Sequence, residues 1–256
     1  MDLEMTMKPL IIGNWKMHGS LAKNAALLQA IVAHCDAQKA DWVVCPPFPY
    51  LSQTQSMLNG TGIAWGAQTV SAFSQGAFTG QVDVSMLLDF GVSFVIVGHS
   101  ERRHGLGESN NYVADSAKLV IEHGMNAIVC VGETLAQKEA GQLETVLQEQ
   151  LLSVLKQISG ENAHNLIVAY EPVWAIGTGK TATQKDILTA HTIIKNILKE
   201  KDANFYNSVR ILYGGSVKPD NARQILTTLY VDGLLVGGAS LDPQAFSEIG
   251  QCKSSF

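Results

Sequence analysis

The chain is short of charge. Only 16% of its 256 residues are Asp, Glu, Lys or Arg, against roughly 25% in an ordinary soluble domain. With 18 basic and 23 acidic side chains it carries a net −5, which argues against a polyanion-binding surface and against a charge-rich disordered chain. Long apolar runs are missing too. None approaches the 18 or so residues that a membrane helix requires, and the stretch Pro9 to Ile12, behind an acidic start, is too short for a signal-peptide core. The four cysteines, Cys35, Cys45, Cys130 and Cys252, form no Cys-x-x-Cys pair and have no histidine at ligand spacing. No metal site is therefore expected, and reduced thiols in the cytoplasm are.

What is present is repetition. Eight short apolar runs recur, each closed by Gly, Pro or a polar residue: Leu10 to Ile12, Trp42 to Cys45, Ile63 to Trp65, Phe94 to Val97, Ala127 to Val131, Leu166 to Tyr170, Val209 to Tyr213 and Leu234 to Val236. Such β-branched runs suit parallel strands covered on both faces. They recur about every 32 residues, the length of a strand, a helix and two loops. Between them the period becomes helical, with one stripe at Leu143, Leu147, Leu151, Val154 and Ile158 and another at Ile187, Ala190, Ile194 and Ile197. Ser20 and Asp83 are candidate N-caps, and Gly124 after His123 is a helix stop. An α/β chain of eight such units predicts a closed (β/α)8 barrel in one domain, residues 8–254, behind a short peripheral extension, 1–7. Met1, Met5 and Met7 each offer a start.

In a parallel barrel the chemistry gathers at the carboxyl ends of the strands. There the sequence has Asn14-Trp15-Lys16, Gly98-His99-Ser100-Glu101, Glu171-Pro172, Gly214-Gly215-Ser216 and Gly237-Gly238. One carboxylate, one imidazole, one ammonium and one amide would converge with two glycine turns, whose bare backbone N–H groups suit a phosphate. Each has a bland alternative: Gly-Gly as a tight turn, Lys16 as a solvated cation, His99 as core packing or as a general acid or neutral donor. Glu171 is followed by an apolar segment, Pro172 to Gly179, that reads as a lid able to strip water from the carboxylate and raise its basicity. His191 and His123 read as structural, and Glu101-Arg102-Arg103 as a solvated or interface cluster too short to bind nucleic acid.

Two motifs fail on inspection. Gly179-Lys180-Thr181 ends like a phosphate-binding P-loop, but Trp174 stands where its first Gly belongs. Gly98-His99-Ser100-Glu101-Arg102 has Arg102 in place of the last Gly of a nucleophile elbow. No dinucleotide fingerprint follows the first run either. The segment Gln68 to Val82 is uncharged and carries two Phe, so burial against a second subunit is expected.

The blocks Asn14-Trp15-Lys16-Met17, Gly76 to Gly80, Gly98 to Arg103, Ala169 to Gly179 and Tyr213 to Val217 together resemble the triosephosphate isomerase family, in order and spacing, over nearly the whole chain after Lys8. The resemblance implies a TIM barrel that interconverts dihydroxyacetone phosphate and glyceraldehyde 3-phosphate in glycolysis and gluconeogenesis, without cofactor or metal, as a homodimer. It implies Glu171 as the base, His99 as a neutral electrophile, Lys16 as the electrostatic residue and Asn14 as a positioning amide. Gly177, Ser216, Gly237 and Gly238 would hold the phosphate. Gln81 and Asp83 stand where the family often has Glu and Ser, so the expected interface lacks a carboxylate. The rivals are a Schiff-base lyase or synthase, disfavoured because no Lys ends the sixth run, and a silent sugar-phosphate-binding barrel, for which loss of Glu171 or His99 would be the sign. Both residues are present.

Overall fold

The computed structural model describes residues 7–176 and 181–252. Eight parallel strands close into a barrel in sequence order: β1 Leu10–Asn14, β2 Asp41–Cys45, β3 Ala64–Ala67, β4 Phe94–Val97, β5 Asn126–Val131, β6 Leu166–Tyr170, β7 Arg210–Tyr213 and β8 Gly233–Val236. β8 pairs back on β1 through Leu10 opposite Gly233. Alternation along each strand splits the core in two. Leu10, Ile12, Ile96, Ile128, Ile167 and Leu235 fill the barrel interior, while Ile11, Val95, Val129, Val168 and Leu234 face the surrounding helices.

The helices follow the sequence's punctuation. Ser20 accepts from Lys23 N at the start of Leu21–His34, and Asp83 accepts from Met86 N at the start of Val84–Asp89. Helix Asn110–Glu122 stops at His123, and Gly124 adopts the left-handed φ of 76° that a side chain would resist. Ile187, Ala190, Ile194 and Ile197 are all buried on Gln184–Lys201. Ile158 is buried but lies beyond its helix, which ends at Leu155. No described helix is long and apolar enough to cross a membrane.

The third strand differs from the expected Ile63 to Trp65, running on through Gly66 to Ala67. Gly66 reads as a stop, yet a Cβ there would sit 2.6 Å from Phe94 O and 2.8 Å from Cys45 Sγ. Its place between β2 and β4 requires a bare backbone. Asn14 likewise belongs to its strand, opposite Cys45. The extension 1–7 lies outside the described residues except for Met7, whose Sδ is 3.9 Å from an Arg210 guanidinium nitrogen.

His191 is fully buried, and burial drives its pKa down from 6.5 to about 4. The unfolded chain therefore binds a proton through that window that the folded chain refuses, so His191 removes stability as pH falls from 6.5 towards 4. Urea unfolding at pH 7 and pH 4 should show the wild type losing on the order of 3 kcal/mol more than His191→Phe over that interval. Parallel losses would disprove the linkage.

Candidate active site

A cavity of about 440 Å³ opens at the carboxyl ends of the strands, and Asn14, Lys16, His99, Glu171, Ser216, Gly237 and Gly238 all line it. Of the site residues named from the sequence, only Gly177 falls outside the described residues, with Thr178 and Gly179 of the expected lid. Gly237 and Gly238 border open space: among the described residues a Cβ on Gly238 would meet no atom within 4 Å, and one on Gly237 would meet only Lys16 Cε at 3.6 Å.

Glu171 follows β6 and is 2% exposed. Burying a carboxylate is costly unless donors meet it. Among the described residues Ser100 N donates to Oε2 at 2.9 Å and His99 Nε2 lies 2.9 Å from Oε1. Burial pushes the Glu171 pKa up, but the charge and hydrogen bond of His99, the Ser100 N–H and Lys16 together bring it below the ordinary carboxylate value. With His99 in place its partners outweigh its burial; the gain in basicity expected on closing the lid involves Gly177 to Gly179, which lie outside the described residues.

His99 caps the helix Ser100–Gly105, and Glu101 N donates to its Nδ1 at 3.2 Å. An Nδ1 that accepts a backbone N–H has no hydrogen of its own, so the imidazole proton sits on Nε2, facing Glu171. Burial works against a second proton on the ring and the Glu171 carboxylate works for it. While the pair is intact the net shift is upward.

Lys16 has a φ of 51°, a left-handed backbone that only strong local bonding sustains in a residue with a side chain. Asn14 Oδ1 accepts from Lys16 N at 3.0 Å, and Gln68 Nε2 donates to Lys16 O at 2.8 Å and to Cys45 O at 2.9 Å. The ammonium meets Glu101 Oε1 at 2.5 Å. Gln68, read from the sequence only as the start of an interface segment, is thus a brace for the site.

Other contributors had no sequence signal. Lys218 adds a second ammonium to the cavity lining. Glu133, just past β5 and 2% exposed, accepts from Trp174 Nε1 at 2.6 Å and from the Tyr170 hydroxyl at 3.1 Å. Burial raises its pKa, against the pull of those hydrogen bonds. It fixes the short turn Val173–Ala175 beside the base, while Lys138 Nζ lies 3.3 Å from the Trp174 ring centroid. Arg103 is no solvated charge: its guanidinium donates to Gly98 O at 2.8 Å, Cys130 O at 3.1 Å and Asn110 Oδ1 at 2.7 Å, tying β4 to β5. Arg102 pairs with Glu108 at 2.6 Å.

A closed parallel barrel with an acid, an imidazole and an ammonium around a glycine-rimmed mouth is a (β/α)8-barrel enzyme. A family model for triosephosphate isomerase matches residues 9–253. The chain is 52% identical to the triosephosphate isomerase of Cupriavidus taiwanensis over 94% of its length and 98% of the relative's. It is 52% identical to that of Ralstonia nicotianae over 96% and 100%, and 46% identical to that of Coxiella burnetii over 98% and 100%. The chain belongs to the triosephosphate isomerase family.

Gly132 makes room for the base, since a Cβ there would lie 1.8 Å from Glu171 O. Gly132→Ala must displace the strand end that carries the carboxylate, and a shift near 1 Å is expected to cost about 100-fold in kcat. Steady-state kinetics on a folded Gly132→Ala chain checks this; wild-type turnover would refute it.

Proposed function

We propose that this barrel interconverts dihydroxyacetone phosphate and glyceraldehyde 3-phosphate, with Glu171 as the base. The carboxylate takes a proton from the carbon beside the substrate carbonyl, and the electron pair moves to the carbonyl oxygen to give an enediolate. His99 Nε2–H donates to the oxygens that gain charge, and Lys16 and Asn14 add an ammonium and an amide. His99 passes a proton between the two oxygens, and protonated Glu171 returns its own to the neighbouring carbon. Backbone N–H groups at Ser216, Gly237 and Gly238, with Gly177, hold the phosphate.

The observation that carries this reading is the pair Glu171 Oε1 and His99 Nε2, 2.9 Å apart in the cavity that Ser216, Gly237 and Gly238 also line. Substrate arriving between them takes over the His99 donor. Losing that bond relieves one of the influences that depress the carboxylate, so the base strengthens as it is needed. An enediolate next to a phosphate ester is prone to eliminate phosphate, and the apolar segment after Glu171 serves to keep water and open geometries away.

The reaction is cytoplasmic and runs in a homodimer in this reading. Phe73 and Phe78 stack at 4.5 Å and are 51% and 43% exposed, with Tyr112 edge-on at 6.5 Å. The buried Val70 and Ser71 narrow the docking part of the expected Gln68 to Val82 segment to its exposed stretch from Phe73 to Gln81. Exposed stacked rings on an uncharged loop suit a second copy of the same chain.

A coupled assay with glyceraldehyde 3-phosphate, with and without EDTA, tests the activity. Glu171→Gln should lower kcat at least about 1,000-fold while a phosphoglycolate-like mimic still binds; near-normal turnover rejects the base. In sedimentation the wild type should run as a dimer and the double variant Phe73→Ser, Phe78→Ser as a monomer. A wild-type monomer at every concentration rejects the interface.

A further inference from the structure

His191 lies midway along Gln184–Lys201, fully buried, and does not line the mouth cavity. Its Nδ1 is 2.8 Å from the Tyr230 carbonyl oxygen, so the hydrogen is on Nδ1. Among the described residues Nε2 has no hydrogen-bond partner. Leaving a buried acceptor unpaired costs stability that an apolar ring would not, so packing alone does not account for an imidazole here. The bond to Tyr230, itself at a left-handed φ of 66°, fixes the plane of the ring.

That plane stands edge-on to Tyr170, at 90° and 6.0 Å between centroids. Tyr170 immediately precedes the base, and its hydroxyl donates to both Glu133 oxygens at 3.1 Å. The same residue receives Trp174 Nε1 on its carboxylate at 2.6 Å and Val173 N on its carbonyl at 3.1 Å. On its other side Tyr170 meets Tyr213 at 6.5 Å. One aromatic ring thus connects the strand end that carries Glu171 with Glu133, and through it with Val173 and Trp174, and His191 is the side chain that packs on its edge.

We propose that His191 is a positioning residue for the isomerisation: it braces the Tyr170 ring, and through Tyr170 it sets the Glu133 carboxylate that anchors Val173–Ala175 beside Glu171. This rests on the isomerase reading above. The imidazole stays neutral and exchanges no proton in the reaction. Its two contacts divide the work, the Tyr230 bond orienting the ring and the ring edge holding Tyr170.

Three variants separate positioning from mere stability. His191→Asn keeps an N–H for Tyr230 but loses the ring edge; His191→Phe keeps a ring against Tyr170 but loses the bond; Tyr170→Phe leaves the packing and removes only the link to Glu133. Each is measured beside the wild type for kcat, KM, thermal midpoint and the share of enediolate lost as free phosphate. His191→Asn and Tyr170→Phe should lower kcat about tenfold and raise the phosphate share, with KM changed less than about twofold. His191→Phe, which keeps the ring edge but not the bond that fixes its plane, should fall between His191→Asn and the wild type in kcat. If the thermal midpoint alone moves in His191→Asn, or if Tyr170→Phe has wild-type kinetics and partition, His191 is structural and the proposal fails. A wild type without isomerase activity would overturn the parent reading instead, which the same assay shows directly.

Discussion

A carboxylate closed off from water has to be met by donors, and the mouth of this barrel is organised around that requirement. Glu171 is sealed where β6 ends, and Ser100 N–H and His99 Nε2–H reach it from the turn after β4. β5 lies between those strands, so its end must leave space, and Gly132 does so. The turn after β4 must also hold its shape, and Arg103 secures it to β5 through the carbonyls of Gly98 and Cys130. The long-range packing of three adjacent strands therefore answers to one buried charge.

The same contacts set the chemistry. Donors that make burial tolerable also make the carboxylate a poorer base, and in the proposed reaction the imidazole that holds it is the group that serves the substrate. Exchange of partners resolves the conflict, because a substrate that engages His99 weakens its hold on Glu171. Lys16 meets a related constraint with backbone strain. Its left-handed conformation brings the side chain close to Gly237, and Gln68 and Asn14 offset the cost with one hydrogen bond each to the Lys16 backbone.

Much of this was legible in the sequence because parallel strands advertise their ends. Apolar runs stop where the barrel mouth begins, so Asn14, Lys16, His99, Glu171 and the glycine pairs could be named from position and chemistry alone. The supporting residues could not. Gln68 looks like any polar residue opening a loop, and Glu133 like a surface acid, until folding brings Lys16 and Trp174 to them across 52 and 41 residues. Arg103 misleads for a different reason: a guanidinium beside two other charges suggests solvent, whereas carbonyls from β4 and β5 desolvate it in place.

The central claim is that a carbon-bound proton leaves to Glu171 and returns on the neighbouring carbon. Isomerisation in deuterium oxide, with carbon-bound deuterium in the product read by proton NMR, tests it most directly. A base that exchanges its proton with solvent during the enediolate's lifetime puts deuterium on the carbon next to the new carbonyl. Product formed at a normal rate with no carbon-bound deuterium at all would contradict it, because hydrogen would then have moved without visiting an exchangeable carboxyl group.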